Sequence, residues 1–112
     1  MHELSIAQSI IDIVDETLNG EDNKLLEVSV EIGELVAVVP DSLEFCYNVI
    51  TENTKYAGSK LDIKILPLTS KCKNCKKEFQ IVKFTFVCPH CDSSELDVLQ
   101  GQELRISHLE VE

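Results

Sequence analysis

The sequence predicts an α+β fold: two helices on one face of a three-stranded sheet, with a small cysteine-bearing module inserted before the last strand. Three observations predict it. Apolar residues recur at helical spacing in two segments, they alternate at strand spacing in three others, and four cysteines stand as two Cys-x-x-Cys pairs. A chain of 112 residues with 44% apolar and 27% charged residues is one domain, or one domain with a small satellite. Six aromatic residues and no tryptophan make the core aliphatic.

The first helix spans 4–18. Leu4, Ala7, Ile11, Val14 and Leu18 repeat at 3–4 spacing, and Ile10 widens the stripe. Ser5 and Gln8 have the spacing of a capping box, and Asn19-Gly20 supplies a stop. Leu26, Val28, Val30 and Ile32 alternate with polar residues up to Gly33, which predicts a half-buried strand. Pro40-Asp41-Ser42 opens the second helix, with Asp41 or Ser42 as the expected cap. Its buried stripe is Leu43, Cys46, Tyr47 and Ile50. Tyr56 to Ser59 is a turn, and Leu61, Ile63 and Ile65 mark a second strand that Pro67 ends. A strand–helix–strand crossover makes these two strands parallel.

Within the module, 78–81 and 83–87 read as the arms of a short hairpin. The last strand begins near Glu103. Leu104 and Ile106 share one phase while Leu109 and Val111 fall in the other, which predicts a bulge near His108. The module therefore spans 70–96, and the body comprises 1–69 and 97–112.

Two Cys-x-x-Cys pairs, Cys72/Cys75 and Cys88/Cys91, can place four thiolates around one tetrahedral ion. Zinc is the ion that four thiolates without redox demand suit best, with iron the lesser reading. A site filled by four protein ligands is structural, so the insertion is zinc-ribbon-like. Cys46 stands alone on an apolar stripe and reads as a small hydrophobe. The chain carries −10 net charge, spread as −9 over 1–70, +2 over 71–96 and −3 over 97–112. That balance opposes nucleic-acid binding and suits a protein that handles cations or meets a basic surface. No apolar run reaches membrane-spanning length, Met1-His2-Glu3-Leu4 lacks the features of a signal peptide, and the paired cysteines suit a reducing cytoplasm.

Met1-His2-Glu3 offers a second metal chemistry. The Met1 amine and the His2 backbone nitrogen close a five-membered chelate ring. That nitrogen and Nδ1 of His2 close a six-membered one. Three nearly coplanar nitrogens suit Ni(II) or Cu(II) rather than zinc. The Glu3 backbone nitrogen or carboxylate, or a partner protein, can complete the set.

Taken together, Met-His-Glu-Leu-Ser at the start, Ile-Gly-Glu-Leu after the first strand, Cys-x-x-Cys…Cys-Pro-x-Cys and a closing Leu-Glu-Val-Glu resemble the HypA family over the whole chain. The resemblance implies a nickel metallochaperone of [NiFe]-hydrogenase maturation, with no enzymatic activity. It implies nickel on Met1, His2 and Glu3 as cargo, and zinc on Cys72, Cys75, Cys88 and Cys91. It also implies as partners a HypB-type GTPase, the hydrogenase large-subunit precursor and, in some relatives, urease maturation factors. Two positions depart from the pattern: glycine usually follows each cysteine pair, and here Lys76 and Asp92 stand there. His90 and His108 read as surface residues. The competing functional reading is a zinc-ribbon adaptor or nucleic-acid-binding module.

Overall fold

The computed structural model describes residues 3–112, so Met1 and His2 lie outside the described residues. Two helices, one 3-10 turn and six strands follow in the order α1 (Glu3–Leu18), β1 (Leu25–Gly33), the turn Glu34–Val36, α2 (Pro40–Thr51), β2 (Lys60–Leu66), β3 (Thr69–Cys72), β4 (Glu78–Gln80), β5 (Leu96–Gln100) and β6 (Leu104–Val111). They build two three-stranded sheets, ordered β2-β1-β6 and β4-β3-β5. β1 and β2 are parallel, as a crossover through α2 requires, and β6 runs antiparallel on the other side of β1. The fold is thus α+β, with both helices packed on the first sheet.

The core lies between α1, α2 and that sheet. Ile6, Ala7, Ile10, Val14 and Leu18 of α1 meet Val28, Val30 and Ile32 of β1 and Leu43 and Tyr47 of α2. Each large side chain buried here contributes about 1.5–3 kcal/mol. The buried face of α1 is rotated from the expected stripe. Ile6 is buried, Ile11 is only partly so, and Leu4 is 54% exposed. Ser5 lies inside the helix and its carbonyl accepts from Ser9, while Gln8 donates to Asp12, so the expected capping box does not form. Asn19 and Gly20 end the helix with positive φ, as expected.

On β1, Leu25 rather than Leu26 points into the core, because the pairing with β6 shifts register between Leu25 and Glu27. A second shift pairs Ser29 with His108 but Val30 with Ile106, leaving Ser107 as the extra residue. This bulge is the one expected near His108. It turns both Ile106 and Leu109 toward the core despite their odd spacing. The cap of α2 is Val39, with Pro40 in the first turn, rather than Asp41 or Ser42. Proline suits that position because the helix needs no donor there.

The second sheet departs further from expectation. β4 pairs with β3, not with 83–87, and β5 completes the sheet on the other side of β3. The chain still turns after β4: the Thr85 N–H donates to the Val82 carbonyl at 3.1 Å. The returning segment makes no strand.

The two sheets meet at a tight seam. The Gly33 N–H donates to the Glu103 carbonyl at 2.7 Å and the Leu35 N–H to the Gly101 carbonyl at 2.8 Å. A Cβ at Gly33 would run into the backbone of Gly101 and Gln102. Gly101 has φ +126 and lies against Leu68, whose Cα would be 2.8 Å from an added Cβ. Only glycine permits this approach at both positions.

Candidate metal centre

Cys72 is the last residue of β3, and Cys75 follows across a tight turn. Cys88 and Cys91 repeat the arrangement on the loop before β5. The two knuckles are built alike. In the first, the Cys72 N–H donates to the Lys77 carbonyl at 2.9 Å and the Lys76 N–H to the Cys72 carbonyl at 3.0 Å. In the second, the Cys88 N–H donates to the Ser93 carbonyl at 2.8 Å and the Asp92 N–H to the Cys88 carbonyl at 2.9 Å. Closing each knuckle requires positive φ at the residue after the pair. Lys76 (φ 66) and Asp92 (φ 62) both adopt it, although neither is glycine.

The four ligand sulfurs lie within 4.8 Å of one another. Cys72 Sγ is 3.5 Å from Cys91 Sγ, and Cys75 Sγ is 3.7 Å from Cys88 Sγ. Sulfurs at about 2.3 Å from a tetrahedral ion are separated by roughly 3.8 Å. A disulfide would bring two of them to about 2.05 Å. The cluster therefore fits one four-coordinate ion, and its donors are the soft thiolates that zinc accepts. Four cysteines would fill all four positions of such an ion and leave none open to a substrate. Among the described residues this is the only such gathering of metal-ligating side chains.

Backbone amides point at two of the sulfurs. The Cys75 N–H points at Cys72 Sγ (3.5 Å) and the His90 N–H at Cys88 Sγ (3.4 Å). The Cys75 amide is the main reason that the Cys72 thiol is drawn down to about 6, with help from Asn74 and the neighbouring thiols against the opposing effect of burial. At Cys75 the Lys77 amide also pulls down, but burial and the three surrounding sulfurs together push the group up to about 11. A cation at the centre removes that conflict, since it favours all four thiolates together. Asn74 adds a contact that the cysteine spacing does not reveal: its side-chain amide donates to Cys91 Sγ at 3.6 Å. The only signal for it is a polar residue inside the first Cys-x-x-Cys.

The remaining candidates lie apart from the sulfurs. Cys46 is half-buried against the helical core. His90 is exposed, and only its backbone serves the cluster. His108 lies on β6 with Nε2 3.0 Å from the Ser29 hydroxyl. At the other end, the Glu3 carboxylate accepts the Val39 N–H at 3.3 Å, which ties the start of α1 to the cap of α2. Met1 and His2, the other expected nickel donors, lie outside the described residues.

Comparison with known proteins decides the family. The family model described as HypA, hydrogenase/urease nickel incorporation, metallochaperone, matches residues 1–111. The chain belongs to the HypA family. A hydrogenase maturation factor HypA from Trichodesmium erythraeum is 44% identical over 113 residues, spanning 100% of this chain and 96% of that protein. The one from Geotalea uraniireducens is 40% identical over the full length of both. The solution structure of the Ni metallochaperone HypA from Helicobacter pylori superposes with a TM-score of 0.70 over 99% of this chain and 97% of that one, at 28% identity. HypA proteins are metallochaperones of hydrogenase maturation, so this chain is a carrier and not a catalyst. Among the described residues, no helix is long and apolar enough to cross a membrane.

Proposed function

We propose that this HypA-family chain binds Ni(II) at its N-terminus and delivers it during maturation of [NiFe]-hydrogenase, while zinc on Cys72, Cys75, Cys88 and Cys91 holds a structural module. The observation that carries the reading is the family match from residue 1, which includes Met-His-Glu in the matched span. The Met1 amine, the His2 backbone nitrogen and the His2 imidazole supply three donors. Glu3 supplies the fourth; its carboxylate accepts the Val39 N–H at 3.3 Å, which holds residue 3 beside the start of α2. In this reading 1–69 and 97–112 form the nickel-binding domain and 70–96 the zinc-binding domain. The exchange takes place in the cytoplasm, with a HypB-type GTPase and the hydrogenase large-subunit precursor as partners. Urease maturation factors are a further destination, in keeping with the family's description.

The test is nickel titration of the zinc-loaded protein, followed by calorimetry and by the absorption of square-planar Ni(II). The intact chain is expected to bind one equivalent. His2→Ala, and a chain with extra residues before Met1, should lose that binding while keeping zinc and fold. Three equal titrations would refute the N-terminal site.

A further inference from the structure

The nickel and zinc readings leave one surface without a role. Between β4 and Cys88 the chain runs Val82-Lys83-Phe84-Thr85-Phe86-Val87. Both ends of this segment are fixed. Ile81 is buried and its N–H donates to the Leu68 carbonyl at 2.8 Å, and Cys88 is buried in the sulfur cluster. Between these anchors Val82 is 60% exposed, Phe84 53%, and Phe86 and Val87 41% each. Single exposed apolar residues are ordinary on any protein. Four among six consecutive residues, on a segment clamped at both ends, form a patch.

The backbone singles out the same place. Lys83 (φ 52) and Phe84 (φ 54) both adopt the left-handed region, inside the turn closed by Thr85 and Val82. Positive φ at both central residues is a type I′ turn, which Asn-Gly fills best. A lysine and a phenylalanine there are held against their own side chains. A turn that serves only to reverse the chain gains nothing from Phe84. A turn that presents an aromatic anchor in fixed geometry does, because preorganisation lowers the cost of binding.

Charge indicates what the anchor meets. Residues 71–87 hold five lysines and one acid, net +4, so the other residues carry −10 − 4 = −14. Lys73 is paired with Asp97 at 3.6 Å, and Lys83 lies within the patch itself. α1 and α2 have the opposite character, with six acids (Glu3, Asp12, Asp15, Glu16, Asp41, Glu44) and no lysine or arginine. An acidic surface would repel the body and attract this end, which orients the encounter.

We propose that Val82–Val87 is the docking surface for the client protein, an acidic face with an apolar recess that receives Phe84. Resting on the function proposed above, the inference identifies that client as the hydrogenase large-subunit precursor. Nucleic acid fits less well, since the −14 of the remaining chain opposes a polyanion.

The test is a double variant, Lys83→Asn with Phe84→Gly, which gives the turn its preferred residues. It should keep zinc, melt no earlier than the parent and still bind one equivalent of nickel. Its affinity for purified large-subunit precursor should fall by about tenfold or more, as for a central aromatic anchor. Lys83→Glu alone should slow association, most at low salt. Unchanged precursor affinity in the double variant would overturn the proposal. So would selective loss of binding to the HypB-type GTPase or to a DNA oligonucleotide. The nickel titration is independent: its failure with docking intact would sink the carrier reading and leave this surface standing.

Discussion

The helix-covered sheet and the knuckle sheet have the same number of strands but are held together differently. The first buries a contiguous aliphatic core from α1, β1, α2 and β2. The second has Leu68, Ile81 and its own cysteines to bury, with short strands around them. The difference teaches where each region draws its stability. One relies on apolar area removed from water; the other has little such area, and in the function proposed above a bound zinc closes it.

The largest expected effect separates the two regions. Cys75→Ser removes one of four sulfurs and, with it, metal-coupled folding energy on the order of 10 kcal/mol. Zinc content should drop and amide protection should vanish from 70–96, while α1 and β1 stay protected. Loss of protection throughout would show that the body depends on the metal as well.

Gly33→Ala tests the seam rather than either region. Its new methyl collides with the Gly101 and Gln102 backbone, which cannot swing aside as a flexible side chain would. A loss of about 4 kcal/mol or more is expected in denaturant unfolding. A near-parental midpoint would mean that the seam opens at little cost and the two sheets are only loosely joined.

Tyr56→Phe probes the body alone. The Tyr56 hydroxyl donates to Asp15, and burial, reinforced by Asp15, pushes the phenol up to about 12. Removing the hydroxyl should cost about 1 kcal/mol. Because the folded value lies above the ordinary value of 10, this contribution is fully present below pH 10 and fades as pH rises through about 12. The parent's advantage over the variant should therefore shrink in alkali, with zinc retention near neutral pH unaffected.

The smallest effect runs the other way. Lys76→Gly relieves a left-handed lysine, worth about 1–2 kcal/mol of backbone strain, against an unfolded-state cost of about 0.5–1 kcal/mol for glycine. A net gain below about 1 kcal/mol is expected in the zinc-loaded module, with less at Asp92→Gly, since aspartate tolerates this region better. Destabilisation of both variants would show that these side chains have partners worth more than the strain.

Legibility also differs between the regions. The body's elements were readable because long periodic segments report their own burial: α1, β1, α2, β2 and even the bulge in β6 appear in the apolar spacing. Details set by neighbours were not. Leu4 and Leu26 look apolar enough for the core, but the packing angle of α1 and the register shift near Leu25 leave both exposed. In the knuckle sheet, Thr69–Cys72 and Leu96–Gln100 carry too little alternation to announce strands. The hairpin partner expected for β4 was the adjacent segment, whereas the sheet recruited β3. Asn74 against Cys91 was equally hidden, because the contact joins two knuckles far apart in sequence.

The sequence by itself determined the ingredients of chemistry: four thiols at ligand spacing, a Met-His-Glu run, and the residues needed for a parallel crossover. These are local patterns, and local geometry suffices to interpret them. The tertiary structure alone decided that the four sulfurs gather within 4.8 Å of one another, that Glu3 is tied to Val39, that two glycines lock the sheets together, and that Phe84 stands in water on a strained turn. Each of those depends on residues distant in the chain or on the sign of a backbone angle, and neither is written in residue spacing.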